Sequence, residues 1–489
     1  MSKTLSFKKI TSLRKSELVR NSFWGLAANG AQSVLMSLFY VILARKYPTT
    51  EFSYFMIANS IYQFLAAISN LGLGQWFTRE IVSMPGDANV INKFLKLQLY
   101  SGICFYAINF LLAFALYDSY EIRLLIVLFG INIVFDNLIY VIKALNVARF
   151  EQDITFKIII LDSALKFIMV FLLLFYPFSV LFLSIGLICI RFLTLNLFLR
   201  YGSKKTISLQ LLWAYGISRK EVKNIVVANW PFLVIGSVSI VYWRIGNIII
   251  SKTLSLLDVA IYEISFRVFS VAQILPIIVS ASLYPHLIKL HNAGDKIMFG
   301  NYYKKYFYLF LLYGLLMYTF IYSFSAQLIP FVFGEKYQAT GFYTQQMFLT
   351  MLLFPTAMLQ ATLLTSMKLE RIDMAFNVIS LVVSVIAIMI GLSFSKSLSV
   401  INYSIFISFF VFHTCQDIIL IKRKVTTIKN VLNLYLLTAG FIIGYIFLSS
   451  KFSTAIVFFL IWGLIAIGFF AFQWKKDTSA KIAMPDGNA

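Results

Sequence analysis

The feature that most constrains this chain is a succession of apolar runs, each of about 20 residues or more. An α-helix rises about 1.5 Å per residue, so a run of about 20 residues crosses the roughly 30 Å hydrocarbon core of a bilayer. The pattern predicts an all-α polytopic membrane protein with about 14 transmembrane helices, which we call spans 1 to 14. Their predicted bounds are 21–44, 53–74, 94–116, 122–146, 155–176, 179–199, 226–250, 258–283, 303–327, 341–365, 372–394, 398–421, 429–449 and 452–473.

Composition argues against a water-soluble fold and against common enzyme chemistries. Apolar residues make up 60% of the chain and charged residues 13%, whereas soluble domains hold about 45–50% and about 25%. The three cysteines (Cys104, Cys189 and Cys415) are far apart and lie inside apolar runs, so we predict neither a disulfide nor a metal site. No phosphate-binding loop, zinc spacing or nucleophile elbow is present in the sequence, so we expect no cofactor and no enzymatic activity.

The distribution of basic residues predicts the orientation of the chain. Counted together with the four outermost residues of each adjoining span, the connections after even-numbered spans and the two ends hold 31 Lys and Arg, whereas the connections after odd-numbered spans hold 7. Basic residues concentrate on the cytoplasmic side, which predicts a bacterial inner-membrane protein with both termini in the cytoplasm. The net charge of +22 therefore reflects topology and not binding to nucleic acid. The first run exceeds the roughly 7–15 apolar residues of a cleaved signal, so we expect it to be retained as span 1.

The connections also predict how the chain is divided. The longest cytoplasmic link is basic and separates an N-terminal lobe, 1–200 with spans 1 to 6, from a C-terminal lobe, 226–421 with spans 7 to 12. Residues 201–225 form this linker, and residues 422–489 form two appended helices and a cytoplasmic tail. A weak repeat beginning at Asn21 and again at Asn229 supports the division, since many transporters consist of two such repeats.

Ionisable residues inside the spans are the candidate functional residues. A charge at mid-bilayer costs about 2.5–3.5 kcal/mol on insertion scales, so such groups usually face a cavity or a partner. Lys166, Arg191 and Arg267 fall near mid-span, whereas Arg244 lies near the outer end of span 7, where its side chain could extend to the interface.

Two of the central cations have an acid four residues away on the same helix face, which gives the pairs Asp162–Lys166 and Glu263–Arg267. Such a pair fits either simple neutralisation or a functional site. Arg191 has no local partner, and Asp136 in span 4 is a candidate. His413 and Asp417 show the same spacing, but near the end of span 12, where we favour a solvated helix end.

Three short motifs occur in a familiar order along spans 1 to 10, and together they resemble Wzx-type polysaccharide flippases of the multidrug/oligosaccharidyl-lipid/polysaccharide (MOP) exporter superfamily. The first combines Leu43-Ala44-Arg45-Lys46-Tyr47-Pro48, Glu51-Phe52-Ser53-Tyr54 and Asn70-Leu71-Gly72-Leu73-Gly74-Gln75-Trp76-Phe77-Thr78-Arg79-Glu80. The second combines Ile261-Tyr262-Glu263-Ile264-Ser265-Phe266-Arg267 with Ser282-Leu283-Tyr284-Pro285, and the third is Phe333-Gly334-Glu335-Lys336-Tyr337.

This resemblance implies two six-helix lobes around a central cavity that opens alternately to each side. It implies a substrate as well: an oligosaccharide repeat unit linked through pyrophosphate to undecaprenyl, moved to the periplasmic leaflet for O-antigen or related surface polysaccharide. Membrane lipid, a polysaccharide polymerase and a chain-length regulator are the implied partners. Arg267 falls where related lipid II flippases carry a cavity arginine.

We therefore expect substrate binding by Arg267, Arg191, Lys166 and Arg244. Many relatives have Arg-Ile-Asp in span 7, whereas this chain has Arg244-Ile245-Gly246-Asn247. That departure leaves Glu263, Asp162 and Asp136 as the candidates for ion coupling or charge pairing.

Rival functions remain open at this stage. A cation-coupled multidrug exporter of the same superfamily would need an acidic cavity, and a scaffold of a polysaccharide-assembly complex would tolerate loss of every buried charge. A membrane polymerase or glycosyltransferase would need a large outer loop. The largest outer connection, about 328–340, is too short for that.

Overall fold

The computed structural model describes residues 24, 30–83, 88–202, 207, 216–294, 296–452 and 454–482. Over these residues the regular structure is helical throughout, without a strand. The basic segment 1–20, most of the predicted linker and the last residues of the tail lie outside this part.

The helices follow one another with short connections. Their bounds are 30–46 (α1), Thr49–Ser69 (α2), Gly74–Ser83 (α3), Ala88–Leu116 (α4), Tyr120–Ala148 (α5), Gln152–Leu172 (α6), Val180–Leu197 (α7), Arg219–Thr253 (α8), Leu256–Asn292 (α9), Lys296–Phe333 (α10), Thr340–Phe348 (α11), Phe354–Ser366 (α12), Glu370–Phe394 (α13), Leu398–Lys422 (α14), Ile428–Ser449 (α15) and Ala455–Ile482 (α16).

The predicted all-α polytopic architecture is confirmed. Ten helical segments of the described chain are long and apolar enough to cross a membrane, and each predicted span overlaps at least one helix. Span 10 is the least regular, because a 3₁₀ turn at Leu349–Leu352 separates α11 from α12. Pro355 lies in the first turn of α12, where its missing N–H leaves no intrahelical hydrogen bond unmade.

Serine caps determine where several helices begin. The Ser119 and Ser179 side chains accept hydrogen bonds from the backbone N–H groups of Ile122 and Phe182, which satisfies donors that the first turn leaves unpaired. At α8, Ser218 and Glu221 form a reciprocal capping box. These caps mark the first residues of α5, α7 and α8.

Contacts divide the chain into two units, one reaching Ala260 and one beginning at Ile261. Helix α8, which we assigned to the C-terminal lobe, belongs to the first unit by its contacts. Along its length it bonds to earlier helices: Lys93 Nζ lies 2.8 Å from Glu221 Oε1, and Asn247 Nδ2 lies 2.8 Å from Ser60 Oγ. The predicted lobe boundaries stay a prediction, since lobes are defined by how they move.

Gly72, after α2, allows α8 to approach closely. Its φ of +60° is a left-handed conformation that favours glycine, and a Cβ placed there would lie 2.2 Å from the Phe232 carbonyl carbon. Gly72, the first glycine of the Leu71-Gly72-Leu73-Gly74 stretch, therefore permits the close packing of α8. Next to it, α3 packs Phe77 and Ile81 into the core of the first unit, with the Phe77 ring stacked 4.4 Å from that of Phe94.

The second unit is built around α10. The hydroxyl of Tyr313 in α10 donates to the Ala272 carbonyl in α9 at 2.7 Å, and the Phe320 and Phe324 rings pack 5.8 and 5.6 Å from Phe459 of α16. The appended helices α15 and α16 thus pack directly against this unit.

Candidate functional site

Four predicted residues meet in the first unit, on three consecutive helices. Asp136 lies on α5, Asp162 and Lys166 on α6, and Arg191 on α7. We call these four side chains the charge cluster. Arg191 donates to Asp136 through Nε and Nη2, so the partner that we predicted on another helix is present.

Asp162 is shared between both cations of the charge cluster. Its Oδ2 lies 2.8 Å from Lys166 Nζ, and its Oδ1 lies 3.4 Å from Arg191 Nη1. The Asp162 side chain is only 1% exposed, so its charge is compensated almost entirely by these two neighbours. A carboxylate so buried requires such pairing.

Sequence reasoning missed three residues next to the charge cluster. The Tyr62 hydroxyl of α2 donates to Asp136 Oδ2, and the Thr194 hydroxyl lies 2.7 Å from Asp162 Oδ1. Lys143 is within electrostatic range of Asp136, Asp162 and Arg191. Lys143 could have been found from the sequence, since it is a cation seven residues after Asp136 on α5. Tyr62 and Thr194 could not, because residues with hydroxyl groups are common in spans.

A cavity of about 70 Å³ adjoins the charge cluster. Lys166 and Arg191 line it together with polar groups of Tyr40, Asn59, Tyr62 and Asn132; the remaining lining is Met36, Phe39, Phe55, Phe129 and Leu187. The volume holds a few water molecules and is well below the roughly 300–1,000 Å³ of pockets for drug-sized ligands.

Within the charge cluster the charges balance, since two cations face two carboxylates. An anionic group entering this cavity would compete with Asp136 and Asp162 for Arg191 and Lys166. The arrangement is therefore suited to exchanging an internal carboxylate for an anionic ligand. Among the described residues, no trio of His, Cys, Asp or Glu is placed to hold a metal ion.

Arg244 lies apart from the charge cluster, on α8. The sequence suggested that its side chain could extend to the interface, but the residue is only 6% exposed. One turn further along α8, Asn247 donates to Ser60. The structure thus places Arg244 inside the protein.

In the second unit, the predicted Glu263–Arg267 pair is present on α9. Arg267 Nη2 lies 3.3 Å from Glu263 Oε2, with side-chain exposures of 13% and 0%. The guanidinium also lies 5.8 Å from the centre of the Phe266 ring. Arg267 is therefore held largely within the protein and beside its acid.

The expectation of a solvated end at His413 and Asp417 was wrong, since both residues of α14 are 3% exposed. His413 Nδ1 lies 3.0 Å from Asp417 Oδ2, and the Tyr435 hydroxyl of α15 donates to the same oxygen at 2.9 Å. Gln360 Nε2 donates to Asp417 Oδ1 at 2.7 Å, and Thr356 Oγ1 lies 2.9 Å from His413 Nε2. We call these five residues the histidine network. Its burial depends on α15, which the sequence of span 12 alone does not reveal.

Comparisons with known proteins agree with the helical architecture. A family model described as "Polysaccharide biosynthesis protein" matches residues 18–291, more than half of the chain. No curated protein is significantly similar to the chain in sequence.

Solved structures share the fold at low sequence identity. The lipid II flippase MurJ, in an inward closed conformation, is 15% identical with a TM-score of 0.71, covering 93% of this chain and 99% of its own. An inward-facing multidrug resistance MATE family transporter of the MOP superfamily is 14% identical with a TM-score of 0.65, covering 79% and 92%. A MOP superfamily transporter from Pyrococcus furiosus, described as having a binding pocket of reverse polarity, is 14% identical with a TM-score of 0.56, covering 82% and 94%.

Proposed function

The chain belongs to the polysaccharide biosynthesis protein family, and from this premise we propose that it is a flippase for lipid-linked oligosaccharides. The proposed substrate is an undecaprenyl-pyrophosphate-linked repeat unit for O-antigen or a related surface polysaccharide. The protein moves it from the cytoplasmic to the periplasmic leaflet of the bacterial inner membrane by alternating access, with no covalent chemistry.

The observation that carries this proposal is the basic lining of the cavity beside the charge cluster, where Lys166 and Arg191 face amide and hydroxyl groups. A pyrophosphate cannot enter about 30 Å of hydrocarbon without replacing its hydration. Cationic side chains supply charge-assisted hydrogen bonds to phosphate oxygens. Amides and hydroxyls suit the sugar hydroxyls, which both donate and accept.

The proposed roles divide the ionisable residues into two groups. Arg191, Lys166, Arg267 and Arg244 bind the anionic and sugar parts of the substrate. Asp136, Asp162 and Glu263 occupy the cations when substrate is absent, and their release, or their protonation, couples transport to an ion gradient. The ion pairs at Asp162 and Glu263 support this exchange, because each acid lies within 3.5 Å of a proposed substrate-binding cation.

The proposed setting follows from the charge asymmetry of the connections. Both termini lie in the cytoplasm, and the substrate lipid and membrane lipid are the immediate partners. A polysaccharide polymerase and a chain-length regulator act on the product in the periplasm, and nucleic acid is not a partner.

The test is complementation in a strain that lacks its own O-unit flippase, scored by which leaflet holds the lipid-linked oligosaccharide. We expect the native chain to move the intermediate to the periplasmic leaflet. Arg267→Gln and Arg191→Gln should each lower this activity at least tenfold at equal protein level. Arg123→Gln is the matched control, because Arg123 pairs with the exposed Asp118 and is not part of the charge cluster.

Other outcomes assign the other functions. Full activity of both the Arg267 and the Arg191 variants would contradict the substrate-binding roles proposed for these arginines. Absence of rescue without any drug resistance would favour a non-transporting scaffold. Absence of rescue across several glycan backgrounds, combined with resistance to cationic drugs, would favour a multidrug exporter.

A further inference from the structure

A second and larger cavity, of about 860 Å³, lies in the second unit at one end of α10, α15 and α16. It is a groove between the first turns of α10, the connection after α14, and the first turns of α15. Its lining is Ile297, Gly300, Asn301, Tyr303, Lys304, Phe307, Tyr308, Lys424, Val425, Thr426, Asn430, Asn433, Leu434, Leu436, Leu437 and Gln473. We call it the lysine–amide groove. None of the residues proposed for flipping lines it.

The charged side chains that line the groove are all positive. It contains two lysines, Lys304 and Lys424, and four side-chain amides, and the lining includes no carboxylate. Asp417 of the histidine network lies close to the groove, within electrostatic range of Tyr303, but it accepts hydrogen bonds from Gln360 and Tyr435 and does not line the groove. A site of this composition is complementary to an anion with several acceptor oxygens.

The apolar part lies beside the polar part. Asn430, Asn433, Leu434 and Leu437 follow the i, i+3, i+4, i+7 spacing of one helix face, so amides and leucines line the groove together. On α10, the Tyr308 ring centre lies 5.8 Å from Lys304 Nζ. The groove therefore places cationic and amide groups next to aromatic and aliphatic walls, which is an amphiphilic surface.

The backbone around the groove is well defined. The connection after α14 turns at Lys424, which has φ of +61°, and is closed by a hydrogen bond from Val425 N to Leu420 O at 3.0 Å. It approaches α10 at Gly300, where a Cβ would lie 3.2 Å from the Val425 carbonyl oxygen. Packing of this connection against α10 therefore holds the backbone of Lys424 beside the helix that carries Lys304.

We propose that the lysine–amide groove binds one phospholipid with an anionic headgroup from the cytoplasmic leaflet. The helix ends that form it carry the basic connections that we assign to the cytoplasmic side, at the depth of lipid headgroups. The headgroup phosphate contacts Lys304, Lys424 and the amides, and an acyl chain packs against Leu436 and Leu437. The volume lies within the range of pockets for ligands of several hundred daltons. This proposal does not depend on the flippase function.

The experiment uses the full-length chain purified in detergent, titrated with phosphatidylglycerol or phosphatidylcholine of identical acyl chains and measured by native mass spectrometry. We expect one phosphatidylglycerol to bind more tightly than phosphatidylcholine. Each lysine near anionic lipid contributes about 1 kcal/mol, or roughly fivefold in affinity. Lys304→Gln and Lys424→Gln should each lower phosphatidylglycerol affinity about fivefold, and the double variant roughly 25-fold, with phosphatidylcholine affinity unchanged.

Lys368→Gln is the matched control, because Lys368 is an exposed lysine with φ of +59° in another connection predicted to be cytoplasmic, outside the groove. Asn433→Asp is a second variant that retains both lysines and adds a negative charge, and it should also lower phosphatidylglycerol affinity. Equal affinity for the two lipids, or an unchanged preference in the double variant, would overturn the proposal. Displacement of the lipid by millimolar inorganic phosphate would also overturn it, since the site would then bind the free anion.

Discussion

The charge cluster of the first unit and the histidine network of the second unit bury polar groups in two different ways. In the charge cluster, two carboxylates neutralise two cations on three helices. In the histidine network, a single carboxylate, Asp417, is held by one imidazole and by neutral donors from Tyr435 and Gln360. The first therefore depends on balanced charge and the second on hydrogen bonds from neutral donors.

This difference has consequences for what each region tolerates. Removing one member of a buried ion pair leaves an uncompensated charge, which costs more than losing one neutral hydrogen bond. A region of balanced charge can also exchange partners when another ion arrives, whereas a network of neutral donors holds one geometry. The charge cluster thus suits ligand exchange, and the histidine network suits fixing α15 to α14.

The largest effect is expected for Arg191→Gln. The variant leaves Asp136 and Asp162 with Lys166 as the only cation of the charge cluster, and we expect a loss of about 3–5 kcal/mol in unfolding free energy. Unfolding by sodium dodecyl sulfate in mixed micelles measures it. Adding Asp136→Asn should recover at least half of the loss, because the double variant restores balance; absence of recovery would show that charge balance is not the cause.

A smaller effect is expected for Asp417→Asn, at about 1–3 kcal/mol. The asparagine side-chain oxygen still accepts one hydrogen bond. The network therefore loses one negative charge and part of its hydrogen bonding, but the substitution does not leave a second buried ion without its partner. The same unfolding assay applies, with the fully exposed Asp118 as Asp118→Asn for control. A loss as large as that of Arg191→Gln would remove the distinction between the two regions.

Tyr435→Phe should cost about 1 kcal/mol, the usual value of one hydrogen bond. Its effect should be local, because the Tyr435 hydroxyl connects α15 to Asp417 and His413. Hydrogen exchange followed by mass spectrometry should show faster exchange in α15 than in α13. Tyr403→Phe is the control, since Tyr403 is 45% exposed; uniform acceleration would contradict a local role.

The smallest effect is expected at the Lys93–Glu221 ion pair, which is only partly buried and is therefore screened by water more than the charge cluster is. The hydrogen bond from Lys93 and the Ser218 backbone N–H lower the pKa of Glu221 from 4.5 to about 2. A lowered carboxyl pKa stabilises the fold above the unfolded value and loses that effect as pH falls toward the folded value. Glu221→Gln should therefore be slightly less stable than the native chain above about pH 4.5. The difference should vanish toward pH 2 and shrink in high salt. A stability difference that does not change with pH would show that the effect comes from the helix cap alone.

The sequence was sufficient to predict the features that depend on residues close together along one helix. The spans follow from hydropathy, and the Asp162–Lys166 and Glu263–Arg267 pairs follow from four-residue spacing. The ion pair between Arg191 and Asp136, 55 residues apart, was proposed only as a candidate, because Arg191 has no acid on its own helix face. The burial of His413 was missed, because Tyr435 and Thr356 reach it from other helices. The burial of Arg244 was missed as well, since the sequence of span 7 does not show which side of α8 is covered.

The packing of α8 on α2 has a consequence for biosynthesis. Ser60 and Asn247, which hydrogen bond to each other, are 187 residues apart. At bacterial translation rates of about 5–20 residues per second, α2 waits roughly 10–40 s for its partner to leave the ribosome. During this interval the polar side of α2 has no α8 to cover it. A chaperone or insertase that holds the nascent first unit would shorten its exposure to lipid and to misassembly.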